Sequence, residues 1–305
     1  MANLPSELGK FIGKMERIIP GLRRDEVKSF SQGWENSVFI ARDSLVFKFP
    51  RTPEVRSKLW VEKQHTDAVR GFINVELPEM ELELDSTGKS VLFAYYPKLS
   101  GMHIHREDLG SIDIATISAG FVRLLTEMGS IPNNVTRPLR VISADAEHLR
   151  MNYREMLSDF CNFCHSYVQE DIIEKVKDRF HRFLTLPLNR YKPGFVHNDI
   201  SDTNVLFSTH DGGLCGIIDW GDSGMGDPAM DLAGIRYYFG DSVYREVIRS
   251  LPYFDEDAEI RARFYCSIVG IYRIEYGIMS RQPRVIRDGV SELSEGLGKA
   301  EYEFW

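Results

Sequence analysis

The chain has four cysteines in 305 residues, too few and too scattered for the disulfide framework of a small secreted domain. It has no stretch of about 18 uncharged apolar residues, so no membrane-spanning helix and no membrane partner are expected. Its N-terminus lacks the apolar core of a secretory signal, which makes the cytoplasm the expected compartment. A basic excess is also missing: 37 lysines and arginines face 45 acidic residues, a formal net charge of −8. Binding a nucleic-acid backbone needs clustered Lys and Arg, so nucleic acid is excluded as a main partner and a cationic ligand is the better match. The G-x-G-x-x-G loop of many nucleotide binders is absent, as are internal repeats and low-complexity tracts.

What is present is an ordinary globular composition, 43% apolar and 27% charged, long enough to bury a sizeable core. The most informative stretch is Phe195 to Leu232, FVHNDISDTNVLFSTHDGGLCGIIDWGDSGMGDPAMDL. It reads as short apolar strands separated by polar loops. The first loop carries His197, Asp199 and Asn204; Asp219 ends the apolar run Cys215 to Ile218, and Asp227 and Asp231 follow. Hard oxygen groups at strand ends suit Mg²⁺, which takes one or two protein ligands and keeps a nucleotide's phosphates as partners. The spacing His-x-Asp-x4-Asn, with an Asp-x-Gly 15 residues after the asparagine, is that of kinase-like phosphoryl transfer.

Upstream, an N-terminal helix is expected over residues 1 to 24, capped by Ser6 and ended by Pro20-Gly21. A strand meander follows: Val27 to Ser31, Val38 to Ala41 and Leu45 to Phe49. Its first bend, Gly33-Trp-Glu-Asn-Ser37, is either an ordinary hairpin turn or a turn offering backbone N–H groups to phosphates. Lys48 stands inside the apolar run Leu45-Val-Phe-Lys-Phe49, where it is either solvent-facing or a buried cation with a partner. Glu62, on a helix expected over Lys58 to Arg70, can be that partner; alone the two would read as surface charges, and the downstream His197, Asp199, Asn204 and Asp219 turn the reading toward a buried pair. Strands over Leu77 to Leu84 and Ser90 to Tyr95 precede a break at Pro97-Lys-Leu-Ser-Gly101, the expected hinge. Apolar residues before that break suit an adenine slot, with backbone groups at the hinge as hydrogen-bond partners.

Helices are expected over Ile112 to Met128, 151 to 185, Asp241 to Leu251, Glu256 to Met279 and Val285 to Tyr302. Within the second, Cys161-Asn-Phe-Cys164-His165 matches a haem-attachment pattern, but cysteines at i and i+3 on a helix read better as small apolar residues.

These residues resemble the aminoglycoside phosphotransferase family, a branch of the protein-kinase-like fold, over nearly the whole chain. The likeness rests on Gly33-Trp-Glu-Asn-Ser-Val-Phe, Val46-Phe-Lys-Phe-Pro-Arg51, Glu62, Val196 to Asn204, and Gly216-Ile-Ile-Asp-Trp-Gly-Asp222 through Asp227-Pro-Ala-Met-Asp231. Lys48-Phe-Pro-Arg, Arg182-Phe-Leu-Thr-Leu-Pro and Tyr272-Arg-Ile-Glu-Tyr276 look closest to the 2″-phosphotransferases.

The resemblance implies an α+β, two-lobed fold. A small antiparallel-sheet lobe over residues 1–95 would bind nucleotide, and a larger, mostly helical lobe over 96–305, with a helical insert around 110–190, would hold the substrate. It implies transfer of the γ-phosphate of ATP or GTP to a hydroxyl of an aminoglycoside, with Asp199 as base and His197 bracing its loop. Asn204 and Asp219 would hold Mg²⁺. Lys48, fixed by Glu62, would meet the α- and β-phosphates, with Gly33, Ser37, Ala94, Tyr96 and Ile218 completing the nucleotide site. Asp227 and Asp231 would be structural. The acceptor, a polycation, would meet acidic groups among Asp202, Asp255, Glu256, Asp257, Glu275, Glu292 and Glu295, with Glu275 best placed. Asp202 either faces the acceptor or solvates its loop. The alternative acceptor is a macrolide, choline, a sugar or a homoserine-like metabolite. The short run from Asp219 to Asp227 leaves no room for an activation segment, which argues against a protein acceptor. A monomer or weak dimer is expected.

Overall fold

The computed structural model describes residues 4–30, 35–106, 108, 113–251 and 256–299; Gly33 of the first bend and Asp255 lie outside the described residues. The chain folds as two compact units, Met1–His103 with Asn204–Ser223, and Ile104–Thr203 with Gly224–Trp305. The first unit therefore ends beyond residue 95 and takes back a later segment. The backbone explains this: Met102 and Phe207 exchange N–H···O bonds at 2.9 Å, and Glu76 N–H donates to Cys215 O at 2.8 Å.

In the first unit, helix α1 (Leu4–Glu16) precedes strands β1 (Val27–Phe30), β2 (Asn36–Ala41) and β3 (Leu45–Pro50). Helix α2 (Pro53–Val69) and strands β4 (Glu81–Leu84) and β5 (Val91–Pro97) follow. The sheet is antiparallel in the order β1-β2-β3-β5-β4. Ser6 lies inside α1 rather than before it. Helix α2 starts earlier than its apolar spacing suggests, because Thr52 accepts from Val55 N–H and Pro53 occupies the first helical position. The strand expected from Leu77 shortens to Glu81–Leu84, an edge strand with Glu81 and Glu83.

Successive strand side chains point to opposite faces of a sheet. In β3, Phe47 and Phe49 join Phe39, Phe93 and Met15 on the face where α1 places Phe11. Val46 joins Leu59 of α2, Ala94 and Tyr96 on the other. Lys48 shares the parity of Val46, so it projects toward α2 from an inner strand. It is 4% exposed and stands opposite Val38 and Ala94. Strands β6 (Gly194–Val196) and β9 (Gly224–Gly226) pair in the second unit, whereas β7 (Val205–Phe207) and β8 (Leu214–Ile217) form a ribbon in the first.

The rest of the second unit is helical: α3 (Ile114–Ser130), α4 (Asn133–Thr136), α5 (Ala146–Asp159), α6 (Glu170–Leu184), α7 (Pro228–Ser250), α8 (Glu256–Ser267), α9 (Val269–Met279) and α10 (Pro283–Gly298). Antiparallel sheet followed by mostly helical chain is the α+β architecture expected. Three expected spans change. The helix over 151–185 begins at Ala146, where Asp145 accepts two backbone N–H bonds, and is broken after a π turn at Phe160–Cys164. Cys164 is buried in that turn, its thiol pushed up to about 12 by burial and then by Glu275. Helix α7 starts at Pro228, where the sequence reads as polar loop, because Asp227 caps Ala229 N–H; Gly240, at φ 83°, kinks it. The span Glu256 to Met279 divides at Ile268 into α8 and α9. Helices α9 and α10 pack so closely that a Cβ on Gly270 would meet Gly289 O at 2.4 Å. Among the described residues no helix is long and apolar enough to cross a membrane.

Candidate active site

The first unit assembles a charged centre around Lys48. Its ammonium lies 2.6 Å from Glu62 Oε2 and 3.1 Å from Asp219 Oδ1. Burial opposes the lysine's charge, but the carboxylates of Asp219 and Glu62 outweigh it and push the ammonium well above its ordinary range. Tyr96, also buried, lies beside the same three groups; burial is the main force raising its phenol. Strand pairing carries Lys48 to this point and α2 carries Glu62. Asp219 arrives on the turn after β8, in the left-handed region at φ 66°, an uncommon position for any residue but glycine.

That turn is locked from several sides. Trp220 is buried and its indole N–H donates to Ile217 O at 3.2 Å. Ser223 Oγ donates to Trp220 O at 2.6 Å and accepts from His65 Nδ1, 2.7 Å away on α2. Lys58 of α2 pairs with Asp222 at 2.8 Å and with Glu35 at 2.5 Å, beside the first bend. Spacing alone did not single out His65, Lys58 or Asp222, since each partner lies far along the chain.

Asn204 belongs to the same unit. The ribbon pairs Val205 with Ile217, and Ile218 N–H donates to Asn204 O at 2.9 Å. Asn204 and Asp219 therefore flank one end of the ribbon, an amide oxygen and a carboxylate. Among the described residues no three His, Cys, Asp or Glu side chains group to cage a metal. Two oxygen donors without a full cage fit Mg²⁺ completed by phosphate and water. Ser37 and Ala94 are buried, and Ile218 packs against the cluster that contains Ala94 and Tyr96.

The second unit holds Asp199 and its loop. Buried Asp231, in the first turn of α7, accepts N–H bonds from His197 at 3.0 Å and Asn198 at 2.7 Å. Burial pushes its carboxyl up to about 7, against the pull of those two donors. Asn198 sits at φ 67°. His197 is fully buried and its Nδ1 accepts Asp199 N–H at 3.3 Å, which puts the ring's proton on Nε2. The loop lies directly on α7: a Cβ on Gly234 would come within 2.3 Å of Ile200 O, so only glycine permits that approach. Asp202 accepts from His105 Nδ1 at 2.7 Å.

A cavity of ≈ 400 Å³ in this unit is lined by Asn198, Asp227, Glu155, Asp159, Tyr272 and Glu275, among others. Glu275 is pushed up to about 7, first by burial and then by Asp159. Asp227 is already engaged, by Arg261 Nε at 2.7 Å and Tyr265 Oη at 2.6 Å. Glu292 is not open either: Tyr237 donates to it and Arg273 lies 3.0 Å away. Glu155 and Asp159 were not anticipated, because their helix reads as a solvated face until the fold sets Glu275 beside it. A larger cavity of ≈ 520 Å³, lined by Tyr167, Ile278, Arg281 and Arg287, contains no acidic residue and none from the Asp199 loop.

Residues 26–260 match the model of a family described as the phosphotransferase enzyme family. The chain belongs to this family. Viomycin phosphotransferase of Streptomyces vinaceus is 32% identical over 105 residues, 33% of this chain and 34% of that protein, so the match spans about a third of that relative. In fold, this family member resembles the GDP and kanamycin complex of APH(2″)-IIIa, with a TM-score of 0.82 and 21% identity over 94% of this chain and 98% of that one. It also resembles a type I macrolide 2′-phosphotransferase, with a TM-score of 0.73 and 15% identity over 96% and 97% of the two chains. At these identities the likeness is one of fold.

Proposed function

We propose that this phosphotransferase-family chain moves the γ-phosphate of ATP or GTP to a hydroxyl of a polycationic small molecule, an aminoglycoside. The observation that carries the reading is the buried Lys48 ammonium held between Glu62 and Asp219. A lysine so fixed offers its positive charge to the α- and β-phosphates at no cost in rotamer freedom. Asp199 takes the acceptor hydroxyl's proton as the bond to phosphorus forms; the loop geometry around His197 and Asp231 keeps its backbone in place. Because the transition state is loose, positioning and charge neutralisation supply most of the rate. Asn204 and Asp219 would hold Mg²⁺, whose charge would neutralise the phosphate oxygens. The acidic cavity of Glu155, Asp159 and Glu275 supports a cationic acceptor.

Two results are expected. Asp219→Ala weakens Mg²⁺-nucleotide binding by at least tenfold in titrations at varied Mg²⁺; an unchanged Mg²⁺ dependence counts against Asp219 as a ligand. The affinity for kanamycin rises with pH through about 7, because Glu275 gains its charge there, and Glu275→Gln flattens that rise. The sign for stability is the opposite. A carboxyl with a raised folded pKa favours the folded state less as pH climbs from its ordinary value of 4.5 to about 7, so Glu275→Gln gains relative stability over that window. Calorimetric binding and urea unfolding at pH 5, 7 and 8.5 check both.

The reading as a whole is tested by nucleoside-diphosphate release with a panel of aminoglycosides, macrolides, choline and sugars. Stimulation by kanamycin-like compounds alone supports the aminoglycoside; stimulation by a macrolide or a neutral sugar alone moves the acceptor to that class.

A further inference from the structure

The segment that opens the second unit touches the Asp199 loop from outside. His105 Nδ1 lies 2.7 Å from Asp202 Oδ2, and the two residues are 97 positions apart in sequence. An ionised carboxylate only accepts hydrogen bonds, so the imidazole donates from Nδ1. The neighbouring Arg106 donates from Nη1 to Tyr237 O at 3.3 Å, on α7 just before the Gly240 kink. Tyr238, next along α7, feels the charges of Asp199 and Asp202; burial raises its phenol first, and Asp199 adds to it. The segment thus ties the loop to α7 at a point remote from the Asp231 amide bonds.

The loop is anchored at its start and again just after Asp199. Asp231 fixes His197 and Asn198, and Gly234 seats Ile200. Beyond that, Ser201 Oγ and Thr203 Oγ1 are 3.0 Å apart within the loop itself. The His105–Asp202 bond is a side-chain tie from this second half to another segment of the same unit. It gives Asp202, which the sequence left open between acceptor contact and solvation, a partner in the same unit through one carboxylate oxygen.

We propose that His105 is a positioning residue for phosphate transfer: its Nδ1–H holds Asp202, and through Asp202 the half of the loop that follows Asp199. The inference rests on Asp199 being the base. It predicts an ordering that mere filling of space does not. The amide nitrogen of asparagine can occupy the place of Nδ1, whereas that of glutamine occupies the place of Nε2. Glutamine is the closer match to histidine in volume.

The test measures kcat and KM for kanamycin and for the nucleotide in H105A, H105N, H105Q, D202N and the H105A/D202N double variant. H105A and H105Q are expected to lose about tenfold in kcat, mid-range for a coupled contact pair, while H105N stays within about threefold. Nucleotide KM stays unchanged, and the double variant is no slower than the slower single variant. H105Q outperforming H105N, wild-type kcat in H105A, or losses that multiply in the double variant would overturn the proposal. Should H105A fail to fold, the comparison of H105N with H105Q still decides. Full turnover in Asp199→Ala would instead remove the base, and the coupling between residues 105 and 202 would be read independently of it.

Discussion

Asp199→Ala is expected to lower phosphate transfer about 10³-fold or more while leaving nucleotide affinity within a factor of two. A positioned general base contributes about 10²–10⁴-fold, and in the proposed role the aspartate would also orient the attacking hydroxyl. The side chain can be removed without collapsing the loop, because what holds the loop is elsewhere. Asp231 accepts the His197 and Asn198 N–H groups, and His197 Nδ1 accepts the Asp199 N–H, a backbone bond that alanine keeps. The loss should therefore fall in kcat. Coupled diphosphate release with kanamycin, and displacement of a fluorescent nucleotide, separate the two quantities. Turnover within tenfold of the parent would sink the assignment of Asp199 as base.

Lys48→Met is expected to damage both stability and function. The lysine is 4% exposed and Glu62 1%, so the substitution leaves a buried carboxylate without its cation. Breaking a buried pair from one side costs about 3–5 kcal/mol. In the proposed role nucleotide affinity should fall at least tenfold, because the positive charge that would meet the α- and β-phosphates is gone. The Lys48→Met/Glu62→Gln double variant separates the effects. Removing the stranded carboxylate should restore much of the urea midpoint and none of the nucleotide affinity. A double variant that binds nucleotide like the parent would mean that Lys48 serves the fold alone.

Most residues of the proposed site stand out by their spacing before any coordinates. The triplet His197, Asp199 and Asn204, with Asp219 at the proper distance, needs only local order, since each residue lies at a strand end or in a short loop. Lys48 in an apolar run was ambiguous, and Glu62 became its partner only in the light of the downstream His197, Asp199, Asn204 and Asp219; the structure sets the two 2.6 Å apart. The helices were located by their apolar spacing, but their breaks were not. The π turn at Phe160–Cys164 contains neither glycine nor proline, and the start of α7 at Pro228 reads as loop until Asp227 is seen to cap it. The π turn is decided by packing, which local propensity does not encode, whereas the start of α7 is a local cap, Asp227 before Pro228, masked by the polar residues around it.

By itself the sequence determined the family, and it spelled out the residue types that the proposed chemistry would use: a lysine and its glutamate, an aspartate near a histidine, and two oxygen donors. Their spacing follows from strand and loop geometry, which acts over a few residues. Only the tertiary structure decided which carboxylates remain open. Asp202 is held by His105, Asp227 by Arg261 and Tyr265, and Glu292 by Tyr237 and Arg273, whereas Glu275 stands in a cavity beside Asp159. A carboxylate's partner can lie a hundred residues away, and nothing in the local pattern of either residue marks the other. Burial and pairing, which together decide whether an acid is a brace or a binding group, are properties of the folded chain.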